Sequence, residues 1–290
     1  MAGNIKINID TSLYRMPTQN DIAEAKDYIL KREENARILE SKIDDLLADA
    51  AERITVICYK YQFNEKRFTI ARGFNEQMMD EIAEVMDKLE ADIMSLVYDY
   101  SLSVTDDEKH RNALAAWIAL LGRGNRNFQD TLDGYLYKFM KDMEAAIAAL
   151  RYANISMADA ITKLKSNLHS IYTLPEVIAA FKESGKFNAT FIRSKGIQPG
   201  GVGLSNNGST NVTNMAKITL QMAWMREQGM EFEEKGAVGY WQGRGSLYNC
   251  DVCDEETGFH PDIAEIYEKS YPHPHCQCWR VPVFTKDVSL

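Results

Sequence analysis

From Ile22 onward apolar side chains recur every seven residues: Ile22, Ile29, Ala36, Ile43, Ala50 and Ile57, with Ala25, Leu39 and Leu46 on a companion stripe. Glu, Lys, Asp and Arg fill the positions between. Spacing of this kind keeps one side of a helix apolar, so it predicts a long helix packed against a partner helix. Arg32 and Arg53 interrupt the second stripe. Pro17-Thr18-Gln19-Asn20-Asp21 supplies the groups that cap a helix start. The partner helix can lie within the chain or in a second protomer.

A second long amphipathic helix is predicted by Phe74, Met78, Ile82, Val85, Leu89, Ile93, Leu96 and Tyr100, which share one face. The mixed stretch before it, Lys60 to Gly73, reads as a turn or a short extended piece. Thr105-Asp106-Asp107-Glu108 offers the hydroxyl and carboxylates that satisfy free N–H groups at a helix start, and Gly122-Arg123-Gly124-Asn125 stops that segment. Leu132, Leu136, Phe139, Met143, Ile147 and Leu150 predict a third long helix, from about Phe128 to Ala153. Shorter helices are expected after Ser156-Met157-Ala158-Asp159 and after Thr173-Leu174-Pro175-Glu176, the latter with the spacing of a capping box.

Between Lys195 and Asn214 the pattern lapses into Gly, Ser, Thr and Asn. Such a stretch buries too little apolar surface to offset its ordering entropy and reads as a loop or hinge. Its glycines are not followed by Gly-Lys-Ser or Gly-Lys-Thr, so a phosphate-binding loop is not indicated. One more helix is expected from Asn214 to about Gly229, and Gly236 to Trp241 reads as a short strand.

Charge changes the picture by exclusion. The net charge is -9, with a pI near 5.2, and residues 231–290 hold eleven acidic against five basic side chains. Nucleic acid is therefore not expected as the main partner, because that affinity rests on Lys and Arg neutralising phosphates. No run approaches the roughly 18 apolar residues that span a bilayer. The polar start MAGNIKINIDTSLYR lacks the apolar core of a signal peptide. Folding in a reducing cytoplasm is expected, where paired cysteines more often bind metal than form disulfides. Cys58, in the apolar run ITVICY, reads as inert core.

Chemistry concentrates near the C-terminus. Cys250, Cys253, Cys276 and Cys278 are four of the five cysteines, and His260, His273 and His275 are three of the five histidines. Cys250-x-x-Cys253 has the spacing of a metal knuckle, and a tetrahedral Zn(II) in a structural site takes four N or S ligands from protein. The leading ligand set is Cys250, Cys253 and Cys276 with either His273 or Cys278. The Cys276-x-Cys278 pair needs local bending to chelate, so one of its sulfurs can pack clear of the metal. His260 and His275 are expected outside the ligand set. A catalytic zinc is disfavoured, since neither a His-x-Glu deaminase motif nor His-Glu-x-x-His is present. Asp251, Asp254, Glu255 and Glu256 read as a solvated acidic face.

The same segment resembles the C-terminal signature of the phage Mu F-like minor head proteins of tailed bacteriophages. The residues that carry the resemblance are Trp241, Cys250, Cys253, Gly258, His273, Pro274, Cys276, Cys278, Pro282 and Val283, in that order and spacing. It extends over about residues 211 to 284. Gln277 stands where the family usually has Arg, Leu247-Tyr248-Asn249 replaces a charged approach to the first cysteine, and a Thr-Glu pair common in the preceding helix is missing. The resemblance puts His273, rather than His275, at the signature histidine. It implies a non-enzymatic minor capsid protein acting in head assembly at or near the portal. The partners would be portal protein, scaffold or major capsid protein, and the location the virion, after assembly in the host cytoplasm.

Pattern and resemblance together predict a mainly α chain ending in a small α+β metal-stapled module. The divisions expected are a helical region over 1–195, a hinge or loop over 196–213 and a terminal module over 214–290, with self-association possible through the N-terminal helices. Two other readings stand beside this one: a zinc-dependent or nucleic-acid-processing enzyme of a mobile element, and a zinc-stapled adaptor that binds protein.

Overall fold

The computed structural model describes residues 11–61, 76–120, 128–168, 207–245, 251–268 and 276–286. The expected turn after Lys60, the Gly122–Asn125 stop, the helix after Thr173 and the Gly-rich run up to residue 206 lie outside them. The fold is mainly helical with a small C-terminal sheet, as the pattern predicts. Among the described residues no helix is long and apolar enough to cross a membrane.

Helix α1 spans Gln19–Lys60. Its start is a capping box: Thr18 Oγ1 accepts from Asp21 N at 3.2 Å, and the Asp21 carboxylate accepts from Thr18 N at 2.7 Å. The backbone hydrogen bond from Thr18 holds the Asp21 carboxyl below its ordinary range. At the other end Arg151 reaches across to donate to the Cys58 carbonyl and, at 2.9 Å, to that of Tyr61. Those are the carbonyls a helix end leaves without partners. Burial pushes the Cys58 thiol up to about 12, in keeping with inert core.

Four more helices follow: α2 (Glu76–Leu102), α3 (Glu108–Leu120), α4 (Phe128–Tyr152) and α5 (Met157–Leu168). The apolar stripe of α4 is buried from Leu132 to Ile147 as its spacing predicts. Ser156 caps α5 through Asp159 N at 3.2 Å, and Asp107 caps α3 through His110 N at 3.0 Å. The partners of α1's apolar stripe lie within the chain, on α2, α4, α5 and the helix described next.

Helix α6 spans Gly208–Glu234 and departs from expectation. It begins six residues before Asn214, inside the stretch read as a loop, and runs past Gly229. Asn207 caps it, accepting from Ser209 N at 3.0 Å, and Asp142 of α4 accepts from Gly208 N at 2.7 Å. Tertiary partners here override a composition that favours loops. Val212, Ala216, Leu220 and Trp224 belong to the same apolar cluster as α1, α2 and α4. Residues 214–234, grouped by sequence with the terminal module, thus form a central stave of the helical core.

A polar ladder joins α6 to α1, running antiparallel. Lys217 Nζ meets Glu40 Oε2 at 2.7 Å, Gln221 Nε2 meets Glu33 Oε1 at 3.1 Å, and Thr213 Oγ1 meets Asp44 Oδ1 at 3.2 Å. All six residues are buried. Farther along, the Tyr28 hydroxyl donates to the Trp224 carbonyl at 2.6 Å.

The terminal sheet has three antiparallel strands in the order β2-β1-β3, with β1 at Gly239–Gly243, β2 at Gly258–His260 and β3 at Trp279–Val283. Trp241 sits opposite both Phe259 and Val281. Short helices occupy Asp251–Glu255 and Glu265–Glu268. The strand expected from Gly236 starts three residues later, because Gly236 and Ala237 close the end of α6 through the carbonyls of Glu233 and Phe232. Beyond β3, Thr285 forms a bridge with Tyr14, flanked by Arg15 N donating to Phe284 O at 3.0 Å and Lys286 N to Leu13 O at 3.1 Å.

Candidate metal centre

Three cysteines converge at the foot of the sheet. Cys253 comes from the short helix at Asp251–Glu255, and Cys276 and Cys278 from the extended run into β3. Their sulfurs all lie within 4.8 Å of one another, at exposures of 3%, 8% and 5%. Tetrahedral thiolates around one zinc stand roughly 4 Å apart. The arrangement can therefore hold a metal ion. Both sulfurs of the Cys-x-Cys pair turn to the same side, so neither packs away from the cluster. Cys250 and His273, the other members of the expected set, lie outside the described residues, as does His275.

Local structure fixes this convergence. Thr257 Oγ1 donates to the Cys253 carbonyl at 2.8 Å and closes the short helix. Gly258 then opens β2 at φ 141°, a backbone that a side chain would strain. On the opposite side a Cβ at Gly245 would strike the Gln277 carbonyl, so the chain can pass against the Cys276–Cys278 segment only as glycine. Trp279 Nε1 donates to the Arg244 carbonyl at 3.2 Å, and Arg244 pairs with Asp254.

The thiols are poorly disposed to ionise by themselves. Hydrogen bonds with Cys276 and then Cys278, and after them burial, hold the Cys253 thiol well above the ordinary range. At Cys278 a hydrogen bond from Cys253 acts downward, but the one with Cys276 and burial outweigh it and push the thiol up to about 12. A reactive thiol needs the opposite setting. A bound cation would have to displace these protons.

Two arginines flank the cluster. Arg32 of α1 donates through Nη2 to the Cys276 carbonyl and stands 3.5 Å from Glu33. Arg280 of β3 donates through Nε to Gln242 Oε1 at 2.8 Å and lies over the Tyr240 ring. Burial lowers the Arg280 guanidinium's affinity for its proton, while Tyr240, Cys276 and Cys278 act in the other direction. In the sequence Arg32 stands out only as a break in the apolar stripe, and nothing in the pattern marks Arg280. The signal available for Arg32 was that same break, a charge on a stripe facing the core.

The other candidates lie apart from the three sulfurs. His260 uses Nδ1 on Glu265 and Nε2 on the Glu256 carbonyl, both at 2.8 Å, and stacks on Tyr240 at 4.5 Å. Asp251, Asp254 and Glu255 are exposed, as a solvated acidic face requires. No family model matches the chain, and no curated protein or solved structure matches it either.

Proposed function

We propose that the chain is a non-enzymatic structural protein whose terminal module is stapled by one Zn(II) ion. The observation that carries this reading is the burial of Cys253, Cys276 and Cys278 within 4.8 Å of one another. These residues would supply three ligands, with Cys250 or His273 as the fourth. Three soft sulfur donors in a compact set suit Zn(II) over the hard cations that prefer oxygen. When bound, the ion would cross-link the short helix at Asp251–Glu255 to the start of β3. Metal analysis of protein purified under reducing conditions without chelator should find about one zinc per chain. Less than a tenth of that would refute the staple.

For the biological role we propose a minor head protein of a tailed bacteriophage or prophage, placed at or near the portal during head assembly. Support comes from the resemblance, in which Trp241 and Pro282-Val283 frame the cysteines, and these residues stand on the paired strands β1 and β3. The helical region would dock on portal, scaffold or major capsid protein. Electron microscopy of particles with tagged protein should show density at the portal vertex, and particles lacking the protein altogether would defeat this assignment.

A further inference from the structure

The two halves of the thiol cluster are separated in the chain, and one strand touches both. β1 pairs with β2, which follows Cys253, and with β3, which follows Cys278. On the first side Thr257 holds the Cys253 carbonyl just before Gly258 pairs with Gln242. On the second, Gly243 stands opposite Trp279, the residue after Cys278. Beyond that last pair the strand runs on through Arg244 and Gly245, and both halves meet it again. The Arg244 carbonyl accepts from Trp279 Nε1 at 3.2 Å, and the Arg244 guanidinium pairs with Asp254, next in the chain to Cys253. That ion pair is partly exposed and is the weaker of the two ties.

The glycines on either side of Arg244 make the fit possible. A Cβ at Gly243 would enter the Trp279 ring, and one at Gly245 would strike the carbonyl of Gln277, which stands between Cys276 and Cys278. Neither glycine has a positive φ, so what these positions require is the missing side chain and not a special backbone. The first lets the indole fold over the strand until its N–H reaches the Arg244 carbonyl. The second lets the strand lie directly against the Cys-x-Cys segment.

We infer that Gly243-Arg244-Gly245 is a clasp that positions the thiols of the metal centre, with Gly245 and Trp279 as its positioning residues. Neither supplies a ligand atom. They act by fixing where Cys276 and Cys278 stand relative to β1, and so to Cys253, in a site that tolerates displacements of only about 0.5 Å. The inference rests on the metal reading above. It adds that the spacing of the sulfurs is set from the end of β1.

Co(II) is the probe, because its thiolate charge-transfer band reports binding and its d–d bands report how nearly tetrahedral the ligands are. Full-length wild type, Gly245→Ala and Trp279→Phe are titrated under reducing conditions. Gly245→Ala should weaken Co(II) affinity about 10- to 100-fold, the range for groups that orient metal ligands. At saturation its d–d bands should be weaker and shifted. Affinity falls in any loosened module, whereas the saturated spectrum moves only when the sulfurs are held elsewhere. Trp279→Phe keeps a ring over Gly243 and loses the N–H, so it should act in the same direction by about 2- to 10-fold, the size of one hydrogen bond.

A saturated Gly245→Ala spectrum identical to that of the wild type would overturn the inference while leaving the metal reading intact, whatever the affinity. Failure of the wild type to take up Co(II) would remove the metal reading and this inference together. If hydrogen exchange shows β1 and β3 of Gly245→Ala unfolded even with metal added, Trp279→Phe decides in its place, and an unchanged saturated spectrum there overturns the clasp.

Discussion

The second half of α1 and the terminal sheet solve the problem of an interior in opposite ways. Around Ile43, Leu47, Ala51 and Ile54 the core is apolar and continuous, closed by Met78, Ile93, Leu132 and Ile147 from α2 and α4. Among the described residues of the sheet module the buried apolar groups are few: Tyr240 and Ile266 packed with Phe232 of α6, Val281 and Val283 on β3, and the three cysteines in a cluster of their own. An extended helical core gains enough from apolar burial to stand on it, and a small module does not. The comparison teaches that the cysteines sit where area runs out, which is where a cross-link changes stability most.

The largest effect should come from breaking that cross-link. Cys276→Ser removes one of the three thiols proposed to hold the ion, and a bound structural zinc contributes on the order of 10 kcal/mol. Protease cleavage and hydrogen exchange should rise across 239–283 while residues 43–54 stay protected, and chelation of the wild type should reproduce the pattern. Equal loosening in both regions would erase the contrast drawn above.

Next in size is the buried pair on the polar ladder. Lys217→Met leaves Glu40 charged and alone in the interior, at a cost of about 4 kcal/mol in urea unfolding. Adding Glu40→Met should return most of that loss. Should the double variant be as unstable as the single, the ladder's energy would lie in packing and not in charge. Leu47→Ala, in the apolar half, should cost about 3 kcal/mol through lost burial and the cavity it leaves. Its metal content should match the wild type, because Leu47 and the three cysteines belong to separate buried clusters.

The smallest effect is a pH dependence at the α3–α6 contact. His110 is buried, with Nδ1 3.0 Å from Glu227 and Nε2 3.2 Å from Glu234, which also takes a hydrogen bond from Lys109. Burial alone would pull the imidazole down, but the hydrogen bond and charge of Glu227, then those of Glu234, raise it above its ordinary value. A raised folded value means that the stabilisation is complete below about pH 6.5, the unfolded value, and is lost as pH climbs through the folded one. Melting temperatures of wild type and His110→Gln should therefore converge as pH rises above about 6.5. Parallel curves would show that the cluster does not titrate.

Much of the helical part was legible because its signals are local. The seven-residue stripe, the Thr18 and Ser156 caps and the α4 stripe each depend on residues within a turn or two. Helix α6 was legible from Asn214 to about Gly229, but not its first turn or its buried polar face, because Asn211, Thr213, Lys217 and Gln221 look like loop or surface residues until α1 is placed beside them. Their partners Asp44, Glu40 and Glu33 lie some 170 to 190 positions earlier in the chain. For the metal centre, the cysteine spacing pointed to the right segment. The contact of Arg32 with the Cys276 carbonyl was out of reach, since it depends on how the sheet docks on α1.

The antiparallel ladder also sets a timetable. Glu33, Glu40 and Asp44 emerge from the ribosome long before Thr213, Lys217 and Gln221 exist to meet them. At about 5–20 residues per second, the wait from the end of α1 to the end of α6 is roughly 10 to 35 seconds. During that interval α1 can lean on α2, α4 and α5 while its acidic flank stays in water. The native core is thus a late product of translation, and a chain stalled before residue 207 would present a row of carboxylates where the finished protein has an interior.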